Sequence, residues 1–183
     1  MPRLKAIDPT QATGKAKDLL DAVRKKRGLV PNMMRTMANA PVVLEGYLGL
    51  SGALGAGQLG PGLREQIALA VAEANGCEYC LAAHTAIGKM VKLPAGEMTS
   101  ARGATSADPK AAAALAFAVA LVEGRGAVSD EAFARVRRAG FGDGEIAEIV
   151  AHVSLNVLTN YFNRATEVVV DFPRVASPTR RSA

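Results

Sequence analysis

The sequence is poor in aromatic residues, and this scarcity argues against one class of function. Tryptophan is absent, and aromatic residues make up 4% of the 183 residues. The net charge is +5, and the basic run Arg24-Lys25-Lys26-Arg27 contains no aromatic residue that could stack on a base. Basic side chains at the end of a helix contact the negative end of its dipole, which accounts for the run. We therefore expect no nucleic-acid partner.

Long apolar segments are also missing. The longest clean apolar run, residues 111–122, is shorter than the roughly 20 residues that a membrane-spanning helix needs. The segment from Met1 to Asp8 lacks the apolar core of a secretion signal. These observations predict a cytoplasmic protein with no membrane partner.

Cysteine and histidine are rare, and most of them lie in one short segment. Both cysteines and one of the two histidines fall within Cys77-Glu-Tyr-Cys80-Leu-Ala-Ala-His84. A disulfide between residues three apart closes a small loop and removes little entropy from the unfolded chain, so stabilisation is a weak reason for the pair. Cys80 and His84 have the i,i+4 spacing of side chains on one helical face. The segment therefore predicts thiol chemistry with a nearby base.

The residue pattern predicts an all-α fold. Alanine and leucine dominate, alternation of β-branched residues is scarce, and glycine or proline separates the periodic segments. Four glycines at every third position, 46 to 55, predict a helix that another helix approaches closely. We predict one domain, with a helical extension (1–60), a core (61–175) and a loose tail (176–183). The predicted helices are 10–27, 32–37, one from 41, 63–74, 77–91, 110–123, 129–140 and 143–167.

The predicted helix starting at Cys77 determines the chemistry available to the cysteines. Amide groups at a helix amino terminus stabilise a thiolate, the reactive form of cysteine. His84, one turn beyond Cys80, could accept or carry the thiol proton. A carboxylate that orients the histidine would come from the preceding helix, and periodicity alone does not choose between Glu65 and Glu73.

Other interpretations of these residues remain open. The cysteines could be small buried hydrophobic residues, or Cys77, Cys80 and His84 could bind zinc with a glutamate or His152 as the fourth ligand. A polar stripe in the last helix could line a cleft or a subunit contact, or its amides could bond to neighbouring backbone. The stripe comprises His152, Asn156, Asn160 and Asn163.

The run from Leu63 to His84 resembles the active-site segment of AhpD-like alkylhydroperoxidases, in the carboxymuconolactone decarboxylase superfamily. Leu29-Val-Pro-Asn32 with Ala40-Pro41, and the segment 156–163, resemble its longer peroxidase-related members. The resemblance implies an AhpD-like helical bundle, homo-oligomers (trimers or hexamers) and thiol-dependent reduction of hydrogen peroxide or alkyl hydroperoxides. No metal or cofactor is implied, and the reductant that the resemblance suggests is a dithiol of the lipoyl type.

The resemblance also implies roles for individual residues. Cys80 corresponds to the peroxidatic cysteine, Cys77 to the resolving one, and His84 and Glu65 to a proton relay. Well-studied AhpD proteins have a histidine directly before the second cysteine, where this chain has Tyr79. A phenol titrates near about pH 10, so it replaces imidazole poorly at neutral pH. A lactone decarboxylase of the same superfamily is an alternative, but its chemistry needs no dithiol.

Overall fold

The computed structural model describes residues 1–177, which contain nine α-helices and no β-strand. The helices are α1 (Gly14–Arg27), α2 (Asn32–Met37), α3 (Pro41–Gly55), α4 (Pro61–Ala74), α5 (Glu78–Met90), α6 (Ala95–Arg102), α7 (Pro109–Glu123), α8 (Asp130–Arg138) and α9 (Asp143–Thr166). The all-α prediction is confirmed. The predicted loose tail falls mainly on residues 178–183, outside the described part. None of the nine helices is long and apolar enough to cross a membrane.

Helix α4 is the centre of the fold. It packs against α5, α6, α7 and α9, and its residues 66–73 are all buried. Pro61 occupies its first turn, where a missing N–H costs no hydrogen bond. After Asn75, Gly76 adopts a left-handed φ of 64°, which turns the chain directly into the cysteine segment. The buried central helix therefore fixes Glu65, near its start, and Cys77, just past its end.

Helix α5 begins as predicted at the cysteine pair. Cys77 is the N-cap residue with extended backbone, and its Sγ accepts a hydrogen bond of 3.3 Å from the backbone N–H of Cys80. Ser, Thr, Asp and Asn are the usual N-cap residues, and here a sulfur takes that role. The hydrogen bond holds Cys77 and Cys80 together at the first turn of α5. The sequence motif thus becomes a compact structural unit.

The glycine pattern in α3 does not mark a close helix contact, so that prediction is wrong within this chain. A Cβ built at Gly46, Gly49, Gly52 or Gly55 meets no atom within 4 Å. Leu44 is the buried residue of this helix, which contacts α1, α2 and α9. The glycines instead leave open space, and two of them border a cavity described below.

Two further segments differ from the sequence-based prediction. Helix α1 starts at Gly14 and not near Thr10, because the Asp8 carboxylate accepts hydrogen bonds from the backbone N–H and the hydroxyl of Thr10 and holds a turn there. Helix α6 was not predicted. Only Met98 and Ala101 of this helix are buried, which leaves too short an apolar pattern to recognise.

Candidate active site

The two cysteines form a disulfide, and both are buried. Their Cα atoms are 5.3 Å apart, within the usual range for a disulfide. The side chains differ in what they face. Cys80 borders a small cavity of about 50 Å³, whereas Cys77 borders neither this cavity nor the larger one beside it. A small molecule in this cavity would meet Cys80 first.

His84 lines the same small cavity and is held by a carboxylate. Its Nδ1 lies 2.8 Å from Oε2 of Glu65, and the two side chains are 21% and 16% exposed. The pair is therefore partly shielded but reachable from solvent. A carboxylate bonded to one ring nitrogen orients the imidazole and leaves the other nitrogen for proton transfer.

The second glutamate of α4 has a different partner. Oε2 of Glu73 lies 2.8 Å from the guanidinium of Arg102 in α6, and the Glu73 side chain is 8% exposed. This ion pair joins two packed helices. Of the two carboxylates that periodicity could not separate, Glu65 is the one that contacts the histidine.

Asn163 contacts the sulfur of Cys80 and completes the site from the last helix. Its Nδ2 is 3.3 Å from Sγ of Cys80 and 3.3 Å from Sδ of Met33, and the residue is 3% exposed. An amide N–H directed at sulfur stabilises a negative charge there. Sequence reasoning placed Asn163 in a polar stripe but gave it no role at the cysteines.

Asn156 and Asn160, the other amides of that stripe, each make one side-chain hydrogen bond. Asn156 donates to the backbone carbonyl of His152 at 2.8 Å, and the side chain of Asn160 accepts from Asn75 at 3.0 Å. Asn156 therefore fits the interpretation that a buried amide of the stripe bonds to neighbouring backbone. Three buried side-chain atoms of the stripe have no hydrogen-bond partner among the described residues: Nε2 of His152, Nδ2 of Asn160 and Oδ1 of Asn163.

Tyr79 has a structural environment that separates it from acid–base chemistry. Its hydroxyl accepts a hydrogen bond of 3.1 Å from the backbone N–H of Met33, and its ring packs edge-on against Phe172 with centroids 5.7 Å apart. Burial raises the pKa of the Tyr79 phenol far above its usual value. The phenol therefore stays protonated at neutral pH. The contact between its ring and Phe172 holds the segment after α9 against the site.

A second, larger cavity of about 640 Å³ adjoins the first. Both cavities are bordered by Arg27, Tyr47, His84, Ile87 and Thr159. The Glu65–His84 pair thus stands between a small space beside Cys80 and a space large enough for an organic molecule.

The zinc interpretation lacks an assembled ligand set. Within residues 1–177, no three histidine, cysteine or acidic side chains converge as a metal site requires. His84, one of the predicted ligands, is instead bonded to Glu65.

Comparison with known proteins connects this geometry to a family. The model of the carboxymuconolactone decarboxylase family matches residues 41–123, which include both cysteines, His84 and Glu65. A solved structure with an alkylhydroperoxidase AhpD core, an uncharacterized peroxidase-related protein from Ralstonia eutropha JMP134, is 26% identical and superposes with a TM-score of 0.81 over 93% of this chain and 92% of that one. Residues 41–123 thus match the carboxymuconolactone decarboxylase family, and the chain shares its fold with a protein that has an AhpD core.

Two other solved structures share the superfamily fold. A peroxidase-related protein from Silicibacter sp. TM1040 is 24% identical, with a TM-score of 0.78 over 92% of this chain and 94% of that one. The debrominase Bmp8, as a cysteine-to-alanine variant in complex with 2,3,4-tribromopyrrole, is 22% identical, with a TM-score of 0.79 over 92% and 91%. No curated protein sequence matches the chain significantly. The superfamily resemblance seen in the sequence is thus confirmed.

Proposed function

We propose that this protein is a thiol-dependent peroxidase that reduces hydrogen peroxide or alkyl hydroperoxides. One observation carries the proposal: Cys80, and not Cys77, borders a cavity that is also bordered by a histidine held by a carboxylate. A peroxidatic thiol needs access to its oxidant and a group that takes its proton. The similarity to the carboxymuconolactone decarboxylase family and to a structure with an AhpD core supports a peroxidase-related role.

The proposed cycle begins with reduced cysteines. His84 takes the proton of the Cys80 thiol, and the thiolate attacks the terminal oxygen of the hydroperoxide. A sulfur–oxygen bond forms as the oxygen–oxygen bond breaks, giving a sulfenic acid on Cys80 and an alkoxide. The alkoxide takes the proton from His84 and leaves as the alcohol, or as water when the oxidant is hydrogen peroxide.

The second half of the cycle uses Cys77. Its thiol attacks the sulfenic sulfur of Cys80, and a disulfide forms with release of water. This disulfide is the bonded state of the described structure. A dithiol reductant such as a lipoyl-type carrier then exchanges with the disulfide, restores both thiols and becomes oxidised itself.

The surroundings of Cys80 support its role as the attacking cysteine. The N–H of Asn163 contacts its sulfur, and Cys80 lies in the first turn of α5, where amide groups favour an anion. Cys77 is fully buried, at 0% exposed. A resolving cysteine needs only to reach the neighbouring sulfenic acid, so burial does not hinder that role.

We further propose that the chain forms a homo-oligomer, a trimer or hexamer. The outer face of α9 carries a stripe of exposed, uncharged residues with helical spacing, and Leu158 and Tyr161 on it are 45% and 58% exposed. An exposed apolar stripe of this length favours a protein partner. Light scattering should show a smaller assembly for Leu158→Arg than for the control Ala107→Arg, which adds the same charge to an exposed loop. The stripe comprises Ala147, Val150, Ser154, Leu158, Tyr161 and Ala165.

The test of the peroxidase function is peroxide consumption with a dithiol donor by the parent, Cys80→Ser and Cys77→Ser. We expect Cys80→Ser to lose activity, and Cys77→Ser to accumulate a sulfenic acid that a dimedone-type reagent traps. Equal activity in all three proteins would refute the cycle.

The same three proteins distinguish the rival reactions. A superfamily decarboxylase would convert a lactone substrate without either cysteine. A debrominase would consume 2,3,4-tribromopyrrole, the ligand of the structural neighbour, in preference to peroxide. Activity on one of these substrates without peroxide consumption would replace the peroxidase proposal.

A further inference from the structure

The larger cavity is far bigger than hydrogen peroxide requires. Its volume is about 640 Å³, whereas a molecule the size of water occupies about 30 Å³ in the liquid. The wall includes apolar side chains from three helices, among them Val23, Leu48 and Leu155. Since the cavity shares Arg27 and His84 with the space beside Cys80, an organic molecule bound there could present a reactive group to the sulfur.

The charged groups that border this cavity are mostly cationic. Lys26, Arg27 and Arg64 line it, against a single carboxylate, that of Glu65, which is bonded to His84. None of the three cations forms an ion pair among the ion pairs of the described residues. Arg64 is fixed by hydrogen bonds from Nη1 to the carbonyls of Leu54 and Gly55, at 3.2 and 2.6 Å. The cavity is therefore suited to an anion.

His152 adds an independent sign of a polar ligand. The residue is 6% exposed and lines the same cavity, and its Nε2 has no hydrogen-bond partner in the protein. A buried polar atom without a partner costs free energy that a ligand group would recover. Burial first, and the nearby Arg64 charge second, lower the pKa of the His152 imidazole, while Glu148, Glu65 and the backbone of Leu54 oppose this shift. The ring is therefore neutral at neutral pH and adds no charge of its own.

We propose that this cavity binds a carboxylate-bearing organic hydroperoxide, with its carboxylate between the Arg64 guanidinium and Nε2–H of His152. Lys26 and Arg27, both exposed in the last turn of α1, add the positive field that attracts the anion. The hydroperoxide group then reaches Cys80 through the part of the wall that the two cavities share. This inference rests on the proposed peroxidase function and names its substrate class.

The experiment compares two hydroperoxides that differ in the charge of one group and by one methyl: cumene hydroperoxide with a para carboxylate, and its methyl ester. In the parent protein we expect kcat/KM for the acid to exceed that for the ester by about fivefold, the scale of one favourable charge contact. His152→Phe, which keeps a ring and removes the N–H, should bring the acid-to-ester ratio toward one.

A charge-matched pair of variants keeps the test valid if His152→Phe does not fold. Lys26→Gln with Arg27→Gln should lower the acid-to-ester ratio about threefold. Arg24→Gln with Lys25→Gln removes the same charge from the same helical turn, away from the cavity lining, and should leave the ratio unchanged. An equal loss of the ratio in both double variants would overturn the proposal, because it would reveal a general field effect.

A binding measurement with a ligand that cannot react distinguishes this inference from the peroxidase proposal. Calorimetry with para-isopropylbenzoate, which has the carboxylate but no peroxide, should show binding to the parent and weaker binding to the Lys26→Gln/Arg27→Gln variant. Binding with no consumption of any hydroperoxide would refute the peroxidase function and leave carboxylate recognition in place. No binding, together with equal kcat/KM for acid and ester, would refute the recognition site while hydrogen peroxide reduction could still hold.

Discussion

Two glutamates on helix α4 have different partners. Glu65 and Glu73 both lie on the buried central helix α4, yet Glu65 holds His84 beside the Cys80 cavity, whereas Glu73 holds Arg102 in an ion pair between helices. Eight residues separate them, which is about 80° around the helix axis. The comparison teaches that the partner, and not the burial or the helix, decides whether a carboxylate is a candidate for chemistry or for stability.

The largest effect should come from removing the charge that orients His84. Glu65→Gln keeps the size of the side chain but gives the imidazole a weaker partner, so we expect kcat/KM for peroxide to fall about a hundredfold, the lower end for general acid–base catalysis. Steady-state peroxide consumption measures it, with the thermal midpoint as the folding control. Parental kcat/KM in Glu65→Gln would remove this carboxylate from the relay.

The matched substitution at the other end of α4 should affect stability instead. Glu73→Gln leaves the Arg102 guanidinium, 18% exposed, without its opposite charge, and we expect a loss of about 2 kcal/mol in the free energy of unfolding. Urea denaturation measures the loss. Peroxide kcat/KM of the folded variant should stay within about twofold of the parent. A hundredfold loss of activity here as well would erase the distinction between the two glutamates.

A substitution at Asn163 tests whether the hydrogen bond to the sulfur of Cys80 favours the reactive thiolate. Asn163→Leu removes the N–H that contacts Sγ of Cys80 and keeps the side-chain volume. We expect alkylation at neutral pH to slow by up to about tenfold, because less of Cys80 is ionised once a hydrogen bond to the charged sulfur, on the order of 1.4 kcal/mol, is lost. The alkylation rate by iodoacetamide as a function of pH, in a Cys77→Ser background, measures it. An unchanged profile would make Asn163 a packing residue.

The helical framework could be predicted from local signals in the sequence. Pro41, Pro61 and Pro109 each occupy the first turn of a helix, and Gly28 ends α1 with a left-handed φ of 77°. These signals act within a few residues, so no knowledge of tertiary contacts is needed. The position of the cysteines at the start of α5 followed from the same kind of signal.

The site depended on contacts between distant segments, and the sequence alone could not specify them. The choice of Glu65 over Glu73 rested on family resemblance, because both positions fit the periodicity of one helix. The contact between Asn163 and Cys80 joins residues 83 positions apart. The glycines of α3 show the same limit: their spacing indicates small residues, but only the tertiary structure shows that open space lies beside them.

The smallest effect concerns the histidine without a carboxylate partner. The pKa of His152 is lowered from its usual 6.5 by burial, so the unfolded chain takes up a proton before the folded protein does as the pH falls. The contribution of this group to stability is therefore complete above about pH 6.5 and is lost as the pH drops toward the lower folded value. Between pH 7.5 and 5.5 the thermal midpoint of the parent should fall about 3 °C more than that of His152→Phe, because roughly 1 kcal/mol shifts a protein of this size by that amount. Differential scanning calorimetry at the two pH values measures this difference, and groups that titrate in both proteins cancel. Parallel shifts in the two proteins would show that His152 titrates freely in the folded chain.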